Sequence, residues 1–68
     1  MDSIYKGQVI EALPSIKFRV ELDNGKTVLA YLSGRMHKNF IRILVGDKVD
    51  VFMPPIGTIG RIVKRLNG

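Results

Sequence analysis

An all-β protein of five short strands closed into a barrel, with one helical turn between the third and fourth, is the fold this sequence predicts. Three observations carry that expectation. Apolar and polar residues alternate at period two through most of the chain, Gly, Pro and Asn punctuate it at short intervals, and helical spacing persists for a single turn.

The clearest strand covers residues 17–22, where Phe18, Val20 and Leu22 share one face and Lys17, Arg19 and Glu21 the other. The same alternation sets Val28, Ala30 and Leu32 against Thr27, Leu29 and Tyr31, and Val49, Val51 and Met53 against Lys48, Asp50 and Phe52. Val20, Leu22, Val28 and Val49 are the expected central inward positions. Residues 7–13 form an earlier strand, interrupted by Glu11 and opened by Gly7, which marks a bulge or a close backbone approach. Residues 58–66 form the last, with a bend at Gly60.

The connections are equally marked. Leu13-Pro14-Ser15 makes a proline turn, and Asp23-Asn24-Gly25 closes a hairpin as a type I′ turn with Asn24 and Gly25 at positive φ, so the first three strands form a meander. Ser33 caps the next segment, in which Met36 and Phe40, four apart, turn inward to plug one end of the barrel while Arg35 and Lys38 face away. Gly46-Asp47 turns the chain into the fourth strand and Pro54-Pro55 ends it. This order is that of an oligonucleotide/oligosaccharide-binding (OB) barrel; an SH3-like barrel is the alternative.

With 68 residues the chain is expected to be one domain spanning 1–68, and it contains no cysteine for a disulfide or thiolate metal site. The single His37 does not supply a metal ligand set, and neither metal nor cofactor is expected. Asp and Glu are scattered singly, and Ser3, Ser15 and Ser33 stand outside any nucleophile elbow, so the expected function is not enzymatic. There is no apolar run long enough to span a membrane and no signal-peptide pattern in Met1-Asp2-Ser3-Ile4-Tyr5-Lys6, which points to a cytoplasmic protein.

The net charge of +5 is unevenly placed. Lys26, Arg35, Lys38 and Arg42 lie in a block without acids at 24–46, and Arg61, Lys64 and Arg65 lie in another from 51 onward. Acid-free basic blocks on a small domain suit a polyanion, because each neutralised phosphate releases counterions. Residues 33–42 gather Arg35, Lys38 and Arg42 with His37 and Asn39. Arginine forks onto phosphate or stacks on a base, lysine binds phosphate as a point charge, and Asn39 suits a base edge or ribose hydroxyl, so the segment fits folded RNA. Tyr31 and Phe52, opposite their strands' main apolar sets, are the better stacking candidates.

Leu13-Pro14, Phe18-Arg19-Val20-Glu21-Leu22, Asn24-Gly25, Ser33-Gly34-Arg35-Met36, Lys38-Asn39, Ile41-Arg42-Ile43-Leu44, Gly46-Asp47-Lys48-Val49 and Gly60-Arg61-Ile62-Val63 with Arg65 together resemble bacterial translation initiation factor one. The resemblance implies an RNA-binding barrel at the aminoacyl-tRNA site of the small ribosomal subunit, reaching decoding-centre ribosomal RNA and a neighbouring ribosomal protein, working as a monomer beside the other initiation factors. The resemblance leaves Arg35, Lys38, Asn39 and Arg42 matched, and with the basic blocks and the stacking candidate the expected RNA contacts are Tyr31, Gly34, Arg35, Met36, His37, Lys38, Asn39, Arg42, Arg61, Lys64 and Arg65. His37 stands where the family usually has a basic residue, Phe40 where tyrosine is common, and the loop at 52–59 is apolar and shorter than the polar loop usual there. Two other classes remain: a cold-shock-like RNA chaperone, for which the chain is poor in aromatics at 7%, and a non-catalytic protein-interaction barrel, whose docking patch would be the loop at 52–59.

Overall fold

A computed structural model describes residues 3–15, 17–38, 42–57 and 59–66. Its elements are β1 (Ser3–Leu13), β2 (Lys17–Leu22), β3 (Thr27–Leu32), α1 (Gly34–Lys38), β4 (Lys48–Met53) and β5 (Ile59–Leu66). The strands close into a barrel in the order β1-β2-β3-β5-β4. Every pairing is antiparallel except β3 with β5, which runs parallel from Leu29↔Ile59 to Leu32↔Ile62. This is the expected OB barrel and not the SH3-like alternative.

Period-two alternation is what fills the interior. Val9, Val20, Leu22, Ala30, Val49, Val51 and Ile62 point inward with Phe18, and Met36 and Ile43 close one end. Val28, expected at the centre, is only half-buried and packs on the margin, because it lies near the hairpin end of β3.

The structure departs from expectation at three further places. β1 begins at Ser3, four residues ahead of the expected start at Gly7. Its first half, Ser3 to Gln8, pairs with β4 while Gly7 to Leu13 pairs with β2, so the strand bends across the barrel and its outward Ile4 and Tyr5 hide the alternation. Glu11 is turned outward by a bulge: the register passes from Val9↔Val20 to Glu11↔Arg19, leaving Ile10 as the extra residue. One inserted residue flips the face of every later position in the strand, and Glu11 meets Arg19 at 2.9 Å instead of pointing into the core.

The hairpin after β2 is not type I′. Gly25 has φ of 88° but Asn24 does not adopt positive φ. The Gly25 N–H donates to Leu22 O at 2.9 Å, Leu22 N–H to Lys26 O at 2.8 Å, and Asn24 Oδ1 accepts from Lys26 N–H at 2.9 Å. This is the pattern of a three-residue loop in which only the last residue is left-handed, and the Asn24 side chain serves the backbone instead of its own φ.

Gly60 meets a different demand. A Cβ there would lie 2.6 Å from both Met53 Sδ and Val51 Cγ1, so the bend expected from sequence is a close approach of β5 to β4. Gly7 is similar, with Val20 Cγ1 at 2.7 Å and Glu21 O at 2.8 Å from such a Cβ.

Two substitutions test this packing. Ile62→Ala, at a fully buried position, should cost about 2–5 kcal/mol in denaturant unfolding. Gly60→Ala should cost about 1–3 kcal/mol through overpacking and so lower the melting temperature, whereas an unchanged melting temperature would mean β4 yields freely there.

Candidate nucleic-acid interface

The segment between β3 and β4 is anchored at both ends on β5. At its start, Ser33 N–H donates to Ile62 O at 3.1 Å, and Ser33 Oγ accepts from Met36 N–H at 3.2 Å, the N-cap bond that starts α1. At its end, Arg65 Nη1 donates to Arg42 O at 3.3 Å while Arg65 Nε lies 3.6 Å from Asp47 Oδ2. Asp47 Oδ2 also accepts from Leu44 N–H at 2.9 Å, and Asp47 N–H donates to Leu44 O at 3.0 Å. Gly46, with φ of 98°, turns this loop onto β1, where Gly46 N–H reaches Val9 O and Val9 N–H reaches Asp47 O. Short local bonds thus hold residues 33–36 and 42–47, with Arg35 and Arg42 exposed.

Of the expected contact residues, Gly34, Arg35 and Arg42 are exposed at this end of the barrel. A Cβ at Gly34 would meet nothing within 4 Å, leaving its backbone open to a ligand. The backbone of α1 runs through His37 and Lys38; their side chains, with Asn39 and the expected plug residue Phe40, lie outside the described residues. Met36 is buried, which supports its inward role and withdraws its side chain from any surface contact.

The remaining candidates follow β5. Tyr31 stands beside Arg61 in the parallel ladder, and Arg61 lies over the Phe52 ring at 5.2 Å from its centroid. Lys64 is exposed opposite Asp50. Tyr31 and Arg61 form an outward line across the parallel ladder; farther along β5 Lys64 also faces outward, while Arg65, in register with buried Val49, lies on the other face and reaches the Arg42 carbonyl. Lys17, opposite Tyr31 on β2, extends the line around the barrel. Sequence reasoning passed over Lys17, although the outward parity of Lys17 and the hairpin register would have paired it with Tyr31. A recess of about 530 Å³ opens elsewhere, between Lys6, Glu21, Asp23 and Lys48, where opposite charges balance and no expected contact residue lies.

Among the described residues no group of three or more His, Asp or Glu is placed to hold a metal ion, and no helix is long and apolar enough to cross a membrane.

The chain matches the family model of translation initiation factor 1A / IF-1 over residues 2–68. It is similar to the solution structure of translation initiation factor IF-1 from the Wolbachia endosymbiont strain TRS of Brugia malayi, with 37% identity, a TM-score of 0.81, and coverage of 98% of this chain and 80% of that one. It is also similar to the crystal structure of YjeQ from Thermotoga maritima, with 27% identity and a TM-score of 0.78, over 96% of this chain but 23% of that longer one. With the family model spanning nearly its whole length and the same barrel at this identity, the chain belongs to the translation initiation factor 1A / IF-1 family.

Proposed function

We propose that this chain acts in translation initiation by binding the small ribosomal subunit at the aminoacyl-tRNA site, with α1 and the loop after it against decoding-centre ribosomal RNA. The observation that carries the reading is the family match through a segment whose exposed cations sit on a doubly anchored loop. With the segment held at Ser33 and at Arg42, less conformational freedom is lost on docking, so its cations spend less of their interaction energy on ordering.

In this reading Arg35, Lys38 and Arg42 neutralise phosphates, Gly34 lets the backbone approach the RNA closely, and Asn39 and His37 reach base edges or ribose hydroxyls. Lys64 lies near enough along β5 to add to the field. Arg65 is a positioning residue: its guanidinium is already engaged by Asp47 and the Arg42 carbonyl. The role is binding, not catalysis; the partners are the subunit's RNA, a ribosomal protein beside it and the other initiation factors, and the chain works as a monomer.

Co-sedimentation with purified subunits tests the reading. The chain should bind small subunits stoichiometrically, and an occupied aminoacyl-tRNA site should block it; equal binding to large subunits would refute it. Replacing Arg35, Lys38 and Arg42 together by alanine should leave the melting temperature nearly unchanged. The same variant should reduce the slope of log affinity against log salt by about 2 to 3, at roughly 0.7–0.9 per phosphate contact.

Arg65→Ala separates positioning from contact. It should weaken subunit binding while leaving that slope nearly intact, and cost only about 0–1 kcal/mol of stability because the pair with Asp47 is part-exposed. A slope reduced by a full contact would assign Arg65 to phosphate instead.

A further inference from the structure

We infer that the outer face of β3, β5 and the adjoining part of β4 docks a protein segment whose apolar side chains lie beside a carboxylate that pairs with Arg61. The face lies apart from α1 and takes in Tyr31 and Arg61, two of the residues expected from sequence to touch RNA, giving them a protein partner instead.

Period-two alternation that fills the core also dictates what lies outside, and here it places apolar residues in contact with water. Leu29 and Ile59 are register partners, and Ile59 is 45% exposed. The neighbouring row runs Lys17, Tyr31, Arg61, Phe52, Ile4 across four strand pairings, with Ile4 61% exposed. The turn between β4 and β5 adds Ile56 at 92% exposure. Exposed apolar side chains gathered on neighbouring rows and interleaved with cations mark a surface suited to a partner.

The occupant follows from charge and topology. The ionised groups on the Tyr31 row are Lys17 and Arg61, both cationic, while Arg19 beside Leu29 is neutralised by Glu11 at 2.9 Å. The complement is a carboxylate set among apolar side chains. A second copy would bring the same net charge of +5 and so a net repulsion. Nucleic acid would find one open ring here, Tyr31, because Leu29, Ile59, Ile56 and Ile4 have no π-face and the Arg61 guanidinium lies 5.2 Å from the centroid of Phe52, so most of the exposed area suits apolar side chains better than bases. Since the barrel is closed, the partner adds no strand to an edge and must dock through side chains. Tyr31 gives this surface its amphipathic anchor, an apolar ring with a hydroxyl at the rim.

The test selects random peptides displayed on phage against the immobilised full chain, using the Leu29→Thr, Ile59→Thr double variant to remove binders to other surfaces. Recovered peptides should carry Asp or Glu next to apolar residues and should shift the amide resonances of Leu29, Ile59 and Arg61. Their affinity should fall by at least about tenfold for that variant and for Arg61→Glu, which is exposed and serves independently should the double variant fail to fold. Recovery of no peptide, of peptides without acids, or of peptides that bind both variants undiminished overturns the inference. So does a uridine-rich oligonucleotide that shifts these amides more than the peptides do, or a dimer in analytical ultracentrifugation that the double variant dissolves.

Discussion

The parallel ladder between β3 and β5 is the contact on which the rest of the molecule depends. Without it the β1-β2-β3 meander would end on an open edge and β4-β5 would be a hairpin attached only through β1. Four register pairs, from Leu29↔Ile59 to Leu32↔Ile62, close the ring. Their middle is unusually slim: Ala30 faces Gly60, and the space they leave is taken by Val51 and Met53 from β4. Closure therefore rests on small residues at one point more than on the total apolar area, since any side chain at Gly60 competes with two that complete the core.

What was legible in the sequence was whatever period two controls. The facing sets of β2, β3 and β4, the meander, the Ser33 cap and the burial of Met36 all follow from alternation or from one polar side chain beside an orphan N–H. Illegible features are those in which one residue breaks the period. Ile10 is an extra residue in β1, so counting by two from Val9 sends Glu11 to the wrong side, and only pairing with β2 corrects it. Asn24 before Gly25 suggested a type I′ turn, yet the choice between turn types depends on how many residues the two strands leave unpaired, which is not a local property. At the candidate site, residue chemistry identified the cations but not their neighbours: that Arg65 is spent on Asp47 and the Arg42 carbonyl needs the register of β5 against the loop.

The same ladder explains why an α1 of only five residues forms at all. A helix that short has no stability of its own, because nucleation costs more than its few bonds return. Here attachment offsets that cost: Ile62 O receives Ser33 N–H at the entry, Ser33 Oγ caps Met36 N–H, and the Met36 side chain is buried in the core. β5 is therefore both the closing strand and the support of the cation-bearing segment, which couples the geometry of the proposed RNA contact to the integrity of the barrel.

Two surfaces of different physics then share β5. At its C-terminal end the proposed RNA-binding groups are long and charged, suited to a partner whose phosphates present charge more than shape, and such attraction falls steeply with salt. At its N-terminal end they are Ile59, Leu29 and Tyr31 on a rigid sheet, where attraction comes from apolar area removed from water and is little affected by salt. Arg61 stands at the boundary, its guanidinium held over Phe52 and its charge turned to whichever partner covers the ring. A barrel of this size has room for both because closure leaves its whole circumference free of edge strands, so that every outward position is available for side-chain recognition.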